Sequence, residues 1–259
     1  MIFSAITACT KTDNSEFTDS PIVESYLKPG DHPLVKLSRQ TPFSSTVNYS
    51  SDDINALSIK INNNNISRIL TPLGEGLYVD SSLTVAEGER YDISFIFNSK
   101  TVKAYTEVPY KPRDFTQSAT SITIAQMNSS SGFPTSMPTM PDPISLTWNN
   151  PDGSYYIVVI ENMEKTLTAI RDFGDRTPPG NMFRKQPTTS SGTEIQSMEF
   201  QYYGKHRLIL YHVLPDYASL YSDKQSSSQN LTNPSTSITN GYGIFTALNS
   251  DTLYLTVKK

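Results

Sequence analysis

The chain has 259 residues and a formal net charge of −4, which argues against nucleic-acid binding, because such proteins need a basic surface. Charged residues make up 18% and hydrophobic residues 36% of the chain, both below the typical globular values of roughly 25% and 45–50%. With 15 Tyr, 11 Phe and 17 Pro, the composition favours strands and turns over long helices. We therefore expect a β-rich protein without electrostatic attraction to anionic lipid.

A single cysteine, Cys9, follows Ile6-Thr7-Ala8 and a short apolar start. One cysteine allows neither an intramolecular disulfide nor a cysteine-rich zinc site. A small residue before cysteine, with an aliphatic residue three places earlier, is typical of the end of a bacterial lipoprotein signal. We predict a truncated signal peptide over 1–8, and a lipidated Cys9 with a polar tether over 9–20. The alternative is a lone thiol near a frayed N-terminus.

Residues 21–110 carry short stretches in which every second residue is apolar, the period of a half-buried strand. A run of four asparagines, 62–65, predicts a hairpin tip, since Asn tolerates left-handed backbone. Pro109 and Pro112 end the pattern, because proline interrupts strand pairing. This predicts an N-terminal β-sandwich, immunoglobulin-like or transthyretin-like, over 21–110. Its strands are expected at 21–27, 34–39, 57–61, 66–70, 77–79, 91–97 and 102–108.

Residues 113–259 predict a larger, C-terminal β-rich domain with one short helix over 215–224. Two of its strands, 155–163 and 208–214, are apolar on both faces, which is typical of central strands covered on both sides. The fold class is therefore all-β, with two tandem β-sandwich-like domains. The other strands are expected at 115–126, 144–148, 198–202, 241–247 and 253–257, with a turn at 249–251 and long loops at 127–143 and 171–193.

Catalytic and metal-binding patterns are weak in this sequence. His206 and His212 lie six residues apart on one predicted strand, about 20 Å from each other at ~3.3 Å per residue, so they cannot ligate one ion. No nucleophile elbow, phosphate loop or metalloprotease motif occurs. Gly241-Tyr242-Gly243 predicts a close backbone approach at the last strand pair. We expect no catalytic residue, no metal and no cofactor.

Aromatic residues concentrate in the second domain, where exposed rings would suit sugar binding. Trp148, Tyr155 and Tyr242 are the candidate ligand-binding residues, although packing at strand positions is the more common explanation for such rings. Asp251-Thr252-Leu253 resembles a bacterial O-glycosylation sequon, which makes Thr252 a candidate glycosylation site.

Six segments in a fixed order carry a family resemblance: 23–30, 53–59, 76–78, 85–91, 106–109 and 240–247. They begin with Val-Glu-Ser-Tyr-Leu-Lys-Pro-Gly and end with Asn-Gly-Tyr-Gly-Ile-Phe-Thr-Ala. In this order the chain resembles a family of bacterial outer-membrane lipoproteins of unknown function (domain-of-unknown-function family four-two-four-nine). Its members are often encoded beside TonB-dependent transporters. The resemblance implies a lipid-anchored address and carries no site residue.

The leading functional hypothesis is a non-enzymatic outer-membrane lipoprotein, facing the cell surface or the periplasm. Its partner would be a TonB-dependent transporter or another envelope protein, contacted through loops 127–143 and 171–193, since loops on a rigid scaffold commonly carry recognition. Its contact with the membrane would be the lipid anchor alone. The alternative hypothesis is a glycan-binding or adhesive surface module, whose partner is a glycan.

Overall fold

Strands dominate the chain, which confirms the all-β, sandwich-like prediction. The computed structural model describes residues 19–40, 52–126, 140–171, 179–221 and 236–259. Cys9 lies outside these residues, as do 127–139 and 172–178 of the two long predicted loops.

The N-terminal strands follow the alternating pattern. Asn64 and Asn65 form the predicted hairpin tip, with φ of 48° and 64°. A short helix and the strand that contains Pro72 were not predicted. The elements are β1 (Pro21–Leu27), β2 (Leu34–Arg39), α1 (Asp52–Asn55), β3 (Lys60–Asn63), β4 (Ile66–Ile69), β5 (Thr71–Gly74), β6 (Leu77–Val79), β7 (Arg90–Phe97) and β8 (Lys100–Glu107).

The C-terminal elements depart further from the prediction. The region expected as one loop, 171–193, contains one strand and the start of another. The elements are β9 (Arg113–Gln117), β10 (Ser121–Thr123), β11 (Ile144–Asn149), β12 (Tyr155–Asn162), β13 (Met182–Arg184), β14 (Gly192–Ile195), a 3₁₀ helix (Ser197–Glu199), β15 (Gly204–Val213), α2 (Pro215–Ser219) and β16 (Tyr242–Lys258).

In the described residues, three sheets form two sandwiches, because two smaller sheets pack on one large sheet. The nine described strands of the large sheet follow the order β13-β12-β15-β16-β1-β2-β6-β5, with β10 also paired to β16. A four-stranded sheet, β4-β3-β7-β8, covers its β1–β2 part, and a three-stranded sheet, β14-β11-β9, covers its β12–β15 part. A separate apolar core fills each interface, so both cores depend on the same large sheet.

Strand β16 joins the two parts of the large sheet. Its residues 242–247 pair in parallel with β1, and its residues 248–257 pair antiparallel with β15. The predicted turn at 249–251 is therefore wrong, because continuous ladder pairing keeps these residues in one strand of 17 residues. Asn249 favours a turn by its local preference. In the fold, its side-chain amide donates instead to Glu87 Oε2 and to the Pro109 carbonyl, each at 3.0 Å.

Two other predicted strands are also wrong. The strand expected at 115–126 divides into β9, which pairs with β11, and β10, which pairs with β16, because the chain crosses from one layer to the other. The strand expected at 198–202 is a 3₁₀ helix followed by a single bridge at Tyr202. The Glu199 carboxylate fixes this helix by accepting from the Gln196 N–H at 2.7 Å.

The close approach predicted for Gly241-Tyr242-Gly243 is confirmed. Gly243 has a φ of 95°, and a Cβ there would overlap the Val23 carbonyl oxygen of β1. Because glycine has no Cβ, only glycine adopts this left-handed conformation without strain and avoids the overlap. Helix α2 begins at the predicted residue and ends at Ser219, earlier than predicted, while Lys224 lies outside the described residues.

Candidate functional site

The outer face of the β12–β15 half of the large sheet is apolar, although it faces away from the interior core. Alternate residues of β12, β15 and β16 form this face and are at most 6% exposed: Ile157, Val159, Ile209, Val213 and Leu248. Helix α2 covers one end through Ala218, which belongs to the same apolar cluster. Strands β12 and β15 are thus buried on both faces, as their continuous apolar sequence predicts.

An open cavity of about 310 Å³ lies over this face, and we call it the outer groove. Its volume falls at the lower end of the range for small-molecule sites, roughly 300–1,000 Å³. The aliphatic face described above is its floor. Its walls are tyrosines and charged side chains from β1, the residue after β1, β12, β13, β15 and α2: Tyr26, Lys28, Glu161, Arg184, Arg207, Tyr211 and Tyr217.

Tyrosine rings form one wall of the outer groove. Tyr217 of α2 meets Tyr26 of β1 edge to face, with centroids 5.8 Å apart, and packs against Tyr221 at 5.9 Å. Burial, together with the hydrogen bond to Tyr221, raises the pKa of the Tyr217 hydroxyl, so this group stays neutral. The helix is held in place by Asp216, whose Oδ1 accepts from the Thr246 hydroxyl of β16 at 2.9 Å.

Charged side chains complete the walls of the outer groove. Arg207 and Glu161, side by side on β15 and β12, form an ion pair of 2.6 Å. Arg184 lies on β13 opposite Val159 and donates through Nη1 to the Tyr221 hydroxyl at 2.6 Å. Within the described part of the chain, neither Arg184 nor Lys28 forms an ion pair with a carboxylate. The groove therefore combines aromatic, apolar and cationic groups.

The candidate ligand-binding residues do not lie together. Trp148 belongs to the core beneath the sheet, 4% exposed and 5.6 Å from the Tyr156 ring, so its indole is not available to a ligand at the surface. Tyr155 lies beyond α2, beside a shallower depression. Tyr242 lines a polar cleft next to Asn98, on the other half of the sheet.

Thr252, the candidate glycosylation site, lies on the outer face of β16 opposite Ile209 and is half-buried. Its N–H donates to Asp251 Oδ1 at 2.9 Å. Modification of Thr252 stays a prediction.

The two histidines of β15 occupy different surroundings. His206 is buried, next to Asn162 and the Phe200 ring. His212 stacks on Tyr156 at 4.8 Å, and its Nδ1 donates to the Tyr110 carbonyl at 2.9 Å, between the two sandwiches. Both imidazoles thus have packing roles. In the described ranges, no group of three or more His, Cys, Asp or Glu residues is placed to hold a metal.

The sequence missed most of the groove. Arg184 falls within a region predicted as loop, so no strand position indicated where it would lie. Tyr26 carries a usable signal, since it is a large ring at an outward position of the alternating strand β1. The sequence predicted the helix that carries Tyr217, but not the outer face on which this helix packs.

Comparison with known proteins adds no relative: no protein-family model matches the chain, and no curated protein matches it. The resemblance to the lipoprotein family therefore stays a prediction. No helix in the described residues is both long and apolar enough to cross a membrane.

Proposed function

We propose that the protein is a non-enzymatic outer-membrane lipoprotein that binds a ligand in the outer groove and serves a TonB-dependent transporter as an accessory. The observation that carries the binding role is the groove itself: a cavity of about 310 Å³ with tyrosine and arginine walls on a rigid sheet. Such convergence of apolar floor and few polar groups is typical of recognition sites. The sequence resemblance supports the outer-membrane location and the TonB-dependent transporter as partner.

The anchor is tested through Cys9. Each buried CH₂ of an acyl chain contributes about 0.8 kcal/mol to membrane binding, so two or three chains outweigh any contribution of a body with net charge −4. Cys9→Ser is expected to move the protein from the outer-membrane fraction to the soluble fraction. A Cys9→Ser protein that stays in the membrane after a high-salt wash overturns the anchor.

The partner is tested by co-purification. A tagged TonB-dependent transporter of the same cell, extracted in mild detergent, is expected to retain the lipoprotein. The matched control is a tagged outer-membrane protein of another class, which should retain none. Recovery of the lipoprotein without any transporter, in detergents that keep other transporter complexes intact, contradicts the accessory role.

The second candidate function, a glycan-binding module, is favoured by the tyrosine wall, since sugar rings stack on aromatic faces. The soluble Cys9→Ser protein is expected to bind members of a glycan array, and Tyr217→Ala to lose the signal. Tyr254→Ala is the matched control, because Tyr254 is half exposed on the same sheet and does not line the groove. Equal loss in both variants contradicts binding in the groove.

A further inference from the structure

The outer groove differs in charge from the rest of the protein. The chain as a whole has a net charge of −4, whereas the groove is lined by three cationic side chains and one carboxylate. Arg207 and Glu161 neutralise each other at 2.6 Å. Lys28 and Arg184 remain without an acidic partner in the described ranges, so the groove carries a local excess of positive charge and attracts anions.

Arg184 has the geometry of an anion anchor. A guanidinium has five N–H donors in a planar fork, and Arg184 uses only one of them in the described structure, toward the Tyr221 hydroxyl at 2.6 Å. That bond holds the side chain against the tyrosine wall, which limits the rotamer entropy lost when a ligand binds. The free donors suit the two oxygens of a carboxylate, which arginine binds in bidentate fashion.

The surroundings of Arg184 suit a ligand with both a carboxylate and a ring. The floor is aliphatic, Tyr217 and Tyr26 present rings at the wall, and the tyrosine hydroxyls supply neutral donors and acceptors. A simple fatty acid would have no ring to pack against the tyrosines, and a small inorganic anion would leave the rings and the floor uncovered. A sugar acid uses all of these groups.

We propose that the outer groove binds an acidic carbohydrate, whose carboxylate is held by Arg184 and whose apolar ring face packs on the tyrosine wall. The proposal rests on the ligand-binding role of the groove proposed above and names its ligand class. Lys28 adds long-range attraction, and Arg184 fixes the orientation.

The first experiment compares acidic sugars with neutral counterparts of the same size. The soluble Cys9→Ser protein is titrated calorimetrically with tetragalacturonate, a hyaluronan tetrasaccharide and sialyllactose, and with the methyl ester of each. At least one acid is expected to bind about tenfold or more tightly than its neutral counterpart, as for a charge-assisted hydrogen bond. The difference should narrow at high salt. The proposal is overturned if no acid binds more tightly than its neutral counterpart. It is also overturned if inorganic phosphate alone competes for the groove as well as the acidic sugar does.

The second experiment assigns the preference to Arg184. Arg184→Gln is expected to abolish the preference for the acid, and Arg184→Lys to keep only part of it, because lysine lacks the fork. Arg113→Gln is the matched control, since Arg113 is exposed on β9 outside the groove, and it should change nothing. Thermal unfolding checks that each variant is folded. An acid preference that survives Arg184→Gln overturns the assignment.

These outcomes separate the proposal from the function on which it rests. If neutral sugars bind, Tyr217→Ala abolishes the binding and no acid is preferred, the groove is a ligand site and the acidic class is wrong. If no sugar of either kind binds, the acidic class is wrong, and the accessory role is then judged by co-purification alone.

Discussion

The two halves of the nine-stranded sheet are built alike on their inner faces and differently on their outer faces. Beneath β1 and β2, buried residues such as Val23 and Leu37 pack on the four-stranded sheet, and beneath β12 and β15, residues such as Val158 and Leu210 pack on the three-stranded sheet. The outer face of β1 and β2 is mixed, and Glu24, Tyr26 and Leu34 are all exposed there. The outer face of β12 and β15 is aliphatic.

This difference explains where the groove lies. A strand covered on one face only can alternate apolar and polar residues, whereas a strand covered on both faces is apolar throughout. Over β12 and β15, helix α2 covers only part of the aliphatic surface, and the remainder becomes the floor of the outer groove. The floor of the outer groove thus belongs to the C-terminal half, while Tyr26 and Lys28 of the N-terminal half complete its wall.

The largest expected difference in the free energy of unfolding is between a substitution on the core face of the sheet and one on its groove face. Trp148→Ala should lower the free energy of unfolding by about 3–5 kcal/mol, because a buried aromatic side chain is lost and a cavity remains. Tyr254→Ala on the outer face should change it by less than about 0.5 kcal/mol. Urea unfolding followed by circular dichroism measures both, since Trp148→Ala removes the only tryptophan of the chain. A Trp148→Ala protein of nearly unchanged stability would contradict the core assignment.

The next effect concerns the junction that holds the two halves together. Asn249 is 9% exposed, and its amide donates to Glu87 Oε2 and the Pro109 carbonyl. Asn249→Ala should lower the free energy of unfolding by about 1–3 kcal/mol, since each of these acceptors loses one donor, although Glu87 Oε2 still accepts from the Lys111 N–H. Asn249→Asp keeps the shape but places a carboxylate beside Glu87, so it should destabilise at least as much at neutral pH. An Asn249→Asp protein as stable as the parent would show that water reaches the junction and solvates the carboxylate.

A smaller effect distinguishes the buried histidine by pH. Burial lowers the pKa of His206, opposed by its hydrogen bond to the Gly204 carbonyl and by the charge of Glu164. We assign the neutral ring a proton on Nδ1, which donates to Gly204 at 3.0 Å, while Nε2 accepts from the Asn162 amide at 3.2 Å. A proton on Nε2 would face that amide donor.

The sign of the pH dependence follows from this shift. Because the pKa of His206 is lower in the folded than in the unfolded protein, the unfolded state takes up the proton first, and stability falls as pH decreases below about 6.5. The free energy of unfolding, measured in urea at pH 7.5 and 5.5, is expected to fall less in His206→Gln than in the parent. The same fall in both proteins would assign the pH dependence to other groups.

Local pattern accounts for most of the fold. The period of two locates β1, β2, β7 and β8, because each has one buried and one exposed face. It fails where tertiary contacts override local preference, as in β16, whose Asn249, Ser250 and Asp251 favour a turn but pair with β15 instead.

The groove was less predictable than the fold, for a physical reason. Trp148 attracts attention in the sequence because of its type, yet its strand position buries it. Arg184 is an ordinary residue of a short strand, and it becomes a groove residue only because β13 pairs with β12 in the register that places it opposite Val159. Pairing between segments distant in sequence is not encoded in local periodicity.

The smallest expected effect on stability is also the sharpest test of the groove. Among the described residues that line the groove, Glu161 is the only one with a carboxylate, and Glu161→Gln removes it and breaks the ion pair with Arg207. Both side chains are partly exposed, so the free energy of unfolding should change by less than about 1 kcal/mol.

The effect of Glu161→Gln on ligand affinity should be larger. Arg207 adds its unpaired charge to that of Arg184, so the affinity for the preferred acidic sugar should rise severalfold at low salt. The affinity for its neutral counterpart should stay unchanged. Calorimetric titration at low and high salt measures this change, with Glu194→Gln, on β14 outside the groove, as the control. A lower affinity for the acid in Glu161→Gln would mean that Glu161 itself contacts the ligand or that the ion pair shapes the wall, and the cationic groups of the groove would not then be what selects the acid.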